Sequence, residues 1–278
     1  MRAWKDLTTQ CDFGPRKPGT DAQKACRDYI AAELKKTCEN VHFQPFRHTW
    51  SRTGETLQMW NVIGEQNWKN STIHVALFAH WDSRPSADND PDPSKRLQAI
   101  TGADDGASGV AVLLELARIL KVEPAKVGVM YVMIDGEDLG PDSNEMYLGS
   151  IVFGDNQPTP KPDYGILLDM IGNKGVVVPQ EYNSQNFAPK LEKALYLYAT
   201  KIGLGATFPF TTGDNIEDDH WALNKAGIPT IDLIDFNYPS WHTLADTPDK
   251  CSPDSLDKIG TLLASWLRQA TPFDMKGE

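Results

Sequence analysis

Hydrophobic positions along the chain change period several times, and each change marks a new element. From Asp21 to Lys36 the residues Ala22, Ala25, Cys26, Tyr29, Ile30 and Leu34 fall on one helical face, and Thr20 stands where an N-cap belongs. Two β-like stretches follow, Val41–Trp50 and Leu57–Glu65, with Arg52-Thr53-Gly54-Glu55 as the hairpin turn between them. The pattern then shifts to short apolar runs: Ile73–Ala79, Val127–Ile134, Gly165–Met170 and Thr230–Ile234. Runs of this kind suit central strands covered on both faces. Between and after them, Ser108–Leu120, Phe187–Ile202 and Ser255–Arg268 read as helices. The alternation predicts an α/β sandwich around a central mixed, mostly parallel sheet flanked by helices. No repeat, low-complexity tract or linker interrupts residues 1–278, so one domain is expected. The Pro- and Asp-rich Ser83–Lys95 reads as a long loop, which in a compact enzyme is more often functional than accidental.

Composition narrows the picture. With 40% hydrophobic and 23% charged residues in 278, the chain is ordinary for a globular protein. No window approaches the about 18 apolar residues of a membrane span. A net charge of −11 argues against nucleic acid or an anionic membrane as partner, since both demand a basic footprint. The four cysteines, Cys11, Cys26, Cys38 and Cys251, form no Cys-x-x-Cys pair, which argues against a structural zinc knuckle. Disulfides in an exported protein and buried free thiols both remain open. The start, Met1-Arg2-Ala3-Trp4, has no apolar signal region; a leader removed earlier would look the same, and a periplasmic or secreted location is expected.

In sheets of this kind ligands bind beyond the carboxyl ends of the strands. His80-Trp81-Asp82 follows the first run, Asp135-Gly136-Glu137-Asp138 the second, and Asp169 closes the third. The loop after the fourth reaches Trp241-His242-Thr243, and Gly102-Ala103-Asp104-Asp105-Gly106 precedes the Ser108 helix. Separate strand ends thus deliver imidazole and carboxylate to one edge, a donor set suited to zinc. Of the adjacent Glu137 and Asp138, one can bind metal while the other stays free to carry protons. Asp82, two residues after His80, is placed to orient that imidazole. Asp104 reads as a turn former capping the Ser108 helix. Asp88, Asp90 and Asp92 read as a solvated acidic loop, and His42, His48 and His74 as structural.

These motifs, in this order, resemble the M28 zinc aminopeptidase superfamily from about residue 10 to residue 268. Within it the chain is more similar to the animal-type glutaminyl-peptide cyclotransferases and their bacterial relatives. The resemblance implies that Asp105, Asp138 and His242 bind zinc and that Glu137 is the general base and acid. It implies that Asp169 and Asp218 form an acidic network beside Glu137, and that Trp241, Tyr238 and Glu217 contact substrate. Glu217-Asp218-Asp219-His220 and the Trp241 before His242 match the cyclase branch. Leu139-Gly140-Pro141 departs from it, lacking the tryptophan that animal cyclases place after the paired acids, and Asp138 stands where Glu is more familiar. The implied activity is cyclisation of amino-terminal glutamine to pyroglutamate with release of ammonia, the substrates being peptide or protein amino termini. The alternative is a di-zinc aminopeptidase whose second ion uses His80 and Asp169.

Overall fold

Two helices, α1 (Arg2–Asp12) and α2 (Asp21–Lys35), lead into a hairpin of β1 (Asn40–Thr49) and β2 (Thr56–Gln66). The computed structural model describes residues 2–269. Thr20 caps α2, its hydroxyl accepting from the Gln23 amide. The hairpin pairs from Asn40 opposite Glu65 to Thr49 opposite Thr56, and Gly54 turns it at φ +73°. Pro45 is tolerated in β1 because that strand lies at the sheet edge, where a missing N–H leaves no neighbour unpaired.

The remaining elements are β3 (His74–His80), α3 (Ala107–Val122), β4 (Gly128–Ile134), α4 (Leu148–Asp155), β5 (Tyr164–Asp169), α5 (Ser184–Phe187), α6 (Pro189–Lys201), α7 (Asp219–Lys225), β6 (Thr230–Ile234) and α8 (Pro253–Leu267). The strands form one six-stranded sheet in the order β1-β2-β4-β3-β5-β6. The β3–β4, β3–β5 and β5–β6 pairs are parallel, whereas β1 and β2 run antiparallel on one flank. The mixed sheet flanked by helices is the architecture the alternating pattern predicts. Successive residues of β3 show why its sequence is a continuous apolar run. Val75, Leu77 and Ala79 enter the core beneath α2, α3 and α8, while Ala76 and Phe78 enter the opposite core with Phe153 of α4 and Leu223 of α7.

Three helices lie outside the sequence expectation: α1, α4 and α7. In α1 the inward face carries Asp6 and Gln10 beside Ala3 and Leu7, so polar residues interrupt the apolar stripe. Asp6 is buried because Arg118 and the Tyr29 hydroxyl satisfy it, at 2.6 Å each. The expected helix Phe187–Ile202 is two pieces: Phe187 ends α5, and Pro189 opens α6 at a first-turn position where its missing N–H costs nothing. All four cysteines are free thiols. No helix among the described residues is long and apolar enough to cross a membrane.

Candidate active site

Because β3, β4, β5 and β6 run parallel, their carboxyl ends open on one edge, and a cavity of about 440 Å³ lies there. Asp105, Glu137, Asp138, Asp169, Asp218 and His242 all line it, joined by Glu217 and Trp241. Nearly every site residue expected from the sequence therefore reaches one cavity. Tyr238 does not line it. Instead it is buried behind the wall, where its hydroxyl donates to Asp246 at 2.7 Å. Trp241 stacks on the imidazole of His242, ring centroids 4.1 Å apart, and so covers one face of it.

Among the described residues three groups place metal-ligating atoms together: first Asp105, Asp138 and His242, second His80, Asp105 and Asp169, and third Asp218, His220 and Asp232. His242 Nε2 lies 3.5 Å from Asp105 Oδ2 and 3.5 Å from Asp138 Oδ2. Both carboxylate oxygens are buried without a hydrogen-bond partner. Bonds of about 2.1 Å to a tetrahedral zinc place ligand atoms roughly 3.4 Å apart, so the spacing and the orphaned oxygens fit that ion. In the second group His80 Nε2 lies 3.1 Å from both Asp105 Oδ1 and Asp169 Oδ1. The His80–Asp169 contact is an ordinary hydrogen bond, so this group also coheres through the imidazole itself.

Supports that the sequence did not reveal hold these groups in place. Arg84, from the loop after β3, contacts the other oxygen of Asp138 and donates to Asp88 at 2.6 Å. Burial opposes ionisation of Asp138, yet the charges of His242 and Arg84 outweigh it and hold the carboxyl at about 2. Asp246 accepts from the amides of Asp104 and Asp105, at 2.9 and 3.3 Å, which fixes the turn presenting Asp105. Gly106 is required there: a Cβ would lie 2.4 Å from the His80 carbonyl oxygen and 2.6 Å from its ring. Of the four non-glycine residues at positive φ among the described residues, Tyr147, Met170 and His242 line the cavity, a concentration of backbone strain typical of functional sites.

Three local expectations change. Asp82 lies 3.7 Å from His80 Nδ1, too far for a hydrogen bond, and instead accepts from the amides of Glu137 and Asp138 at 3.2 Å each. It shapes the loop that carries the paired acids. Asp104 does not cap α3. Its carboxylate accepts from the Gly172 amide at 2.6 Å and so ties the Asp105 turn to the loop after β5. Asp90 is buried rather than solvated, accepting from Leu244 N at 3.1 Å, while Asn89 N donates to the His242 carbonyl at 3.0 Å. The long loop is thus a brace for the segment bearing His242.

Glu137 is left free of the Asp105–Asp138–His242 group. Burial, and then the charge of Asp138, hold its carboxyl well above the usual range. Asp218 is held well above it too, by burial and then by Asp169 and Asp219, and Asp169 is raised by burial. One oxygen of Asp218 accepts from the Asp219 amide as the N-cap of α7; the other is buried without a partner. The result is a set of carboxyls poised to exchange protons beside a metal-like triad.

Comparison with known proteins gives concordant results. Residues 61–267 match Peptidase family M28. A glutaminyl cyclase structure from Bacteroides thetaiotaomicron, bound to N-acetylhistamine, superposes with a TM-score of 0.93 at 35% identity, covering 97% of each chain. A structure described as a leucine aminopeptidase precursor from the same organism gives the same TM-score, identity and coverage. The glutaminyl-peptide cyclotransferase-like protein of Mus musculus is 25% identical over 286 residues, spanning 91% of this chain and 72% of its own.

Proposed function

As the chain belongs to Peptidase family M28, we propose that it is a glutaminyl-peptide cyclotransferase, converting amino-terminal glutamine of peptides to pyroglutamate with release of ammonia. The observation that carries this reading is the joint placement of Glu137, Asp169 and Asp218 in one cavity, unengaged by the Asp105–Asp138–His242 group. Hydrolysis needs one carboxylate to activate water. Both reactions hold the substrate's ammonium group, but cyclisation must in addition strip protons from it to make it a nucleophile, which three neighbouring carboxyls can do.

Asp105, Asp138 and His242 are the residues that would hold zinc. When bound there, it would polarise the glutamine side-chain carbonyl and offset the negative charge that grows on it. Asp218 and Asp169 bind the substrate's α-amine and share its proton load. Glu137 takes a proton from that amine, whose nitrogen attacks the side-chain carbonyl carbon. A C–N bond forms within a five-membered ring, an intramolecular closure with the advantage of high effective concentration. Glu137 then returns the proton to the amide nitrogen as its C–N bond breaks, and ammonia leaves. A carboxyl raised above its usual range by burial suits both halves of that transfer. Trp241 walls the cavity beside His242 and helps exclude water. An exported enzyme acting on peptide termini agrees with the acidic charge, which attracts ammonium groups.

One observation favours a second reading. His80, Asp105 and Asp169 also place ligand atoms within 4.8 Å of one another, as a two-metal aminopeptidase requires. The deciding experiment measures metal content of the purified protein alongside turnover of a Gln-peptide and a Leu-anilide. Ammonia release from the Gln-peptide with one zinc per chain is expected. Two tightly bound zincs with Leu-anilide cleavage alone would replace cyclase with aminopeptidase.

A further inference from the structure

Two cavities meet at a ridge formed by Met146, Tyr147 and Glu217. One is the active-site cavity. The other, about 490 Å³, is walled beyond the ridge by Ile151 and Asp155 of α4 and by Trp221 and Lys225 of α7. The ridge is pinned from both sides. The Tyr147 hydroxyl donates to the Glu217 carbonyl at 2.6 Å, and the Tyr147 amide donates to the Glu137 carbonyl at 2.9 Å. The wall between the cavities is therefore bonded to the loop carrying Glu137 and holds a fixed position relative to it.

Met146, Ile151 and Trp221 give the second cavity an apolar lining beside the polar Ser143, Asn144 and Asp155. Ile151 is 47% exposed at its wall. Trp221 is braced edge-on by Phe187, ring centroids 5.7 Å apart, and the Lys225 ammonium sits 5.2 Å from its ring. A third cavity shares Ile216, Ile234 and Phe236 with the active-site cavity, and Asn173, Thr211, Thr212 and Asp214 add polar groups to its lining.

We propose that the groove between α4 and α7 is a subsite for the second or third residue of the peptide substrate, and that it selects an apolar, above all aromatic, side chain. This rests on the reading of the neighbouring cavity as the seat of a peptide amino terminus. An extended peptide advances about 3.3–3.6 Å per residue and points successive side chains to opposite sides. A chain whose first residue lies beside Glu137 thus crosses a ridge one side chain thick within two further residues. There Trp221 offers a ring held in place for stacking, and Met146 and Ile151 offer apolar flanks.

The test compares Gln-Ala-Ala, Gln-Phe-Ala and Gln-Ala-Phe, with glutamine amide as the substrate that cannot reach the groove. One of the Phe peptides is expected to exceed Gln-Ala-Ala by about tenfold in kcat/KM, expressed mainly in KM. Ile151→Asp, a change at a half-exposed position, and Trp221→Ala should each erase that advantage while leaving glutamine amide turnover unchanged. Equal kcat/KM for all three peptides, or an advantage that survives both variants, overturns the subsite. A wild type that ignores every glutamine substrate yet cleaves Leu-anilide refutes the cyclase reading instead. The same comparison with Leu-Ala-Ala, Leu-Phe-Ala and Leu-Ala-Phe then decides the subsite by itself.

Discussion

Glu137 and Asp138 are neighbours in the chain with opposite electrostatic fates, and single substitutions should separate their roles. Asp138 faces His242 and Arg84 and is held ionised; Glu137 is buried beside that negative charge and is held protonated to higher pH. Glu137→Gln keeps the shape of the side chain but removes the proton acceptor. Zinc should stay bound and KM should change little, while kcat falls by roughly 10²–10⁴-fold. Near-normal kcat in the zinc-loaded variant would transfer the proton to Asp169 or Asp218. For the metal, Asp105→Ala, Asp138→Ala and His242→Ala should each strip zinc as read by elemental analysis, whereas His80→Ala should retain it. Loss of one of two zincs in His80→Ala would favour the aminopeptidase reading. Asp218→Ala should lower turnover on amino-terminal glutamine with zinc still in place, and unchanged cyclisation kinetics would remove Asp218 from the mechanism.

At the level of elements, the site depends on turns that hold one another. The Asp105 turn is gripped by Asp246 from the segment after His242, and through Asp104 by the loop after β5. Asp246 also holds the Tyr238 hydroxyl, so one carboxylate links three segments without touching the cavity. Asp246→Asn removes one acceptor from this grip and should weaken zinc binding about 10–100-fold, as loss of a support behind a metal ligand commonly does. Competition with a chelator measures this directly, and unaltered affinity would show that the turn is held by its own backbone. The long loop after β3 belongs to the same scale. Its composition suggested solvent, but Arg84 and Asp90 point inward because they neutralise and anchor ligand-bearing segments. Alternation of apolar and polar residues cannot reveal an inward charge whose partner lies far along the chain.

Across the whole molecule, Glu192 of α6 offers a test of stability apart from catalysis. Its side chain is buried and neither oxygen makes a well-formed hydrogen bond, and burial raises its carboxyl from 4.5 to about 8. Between those values the folded protein keeps a proton that the unfolded chain has released. The stability contribution is therefore complete below the lower value and lost as pH rises towards the upper one. Glu192→Gln should stabilise the protein at pH 8 by about 1–3 kcal/mol and shrink the difference in melting temperature between pH 5 and pH 8. An identical pH dependence in the variant would place the titrating group elsewhere. The sequence by itself determined the sheet, because strands buried on both faces must be apolar throughout, and it pointed to Asp105, Glu137, Asp138, Asp169 and His242 of the cavity, because chemistry collects at strand ends. It did not disclose α1, whose inward Asp6 is satisfied only by Arg118 and Tyr29. Nor could it show that Asp82 braces the Glu137 loop rather than His80, or that Tyr238 stands behind the wall. Those outcomes turn on a few tenths of an ångström and on partners distant in sequence, and only the packed chain brings such groups within reach of one another.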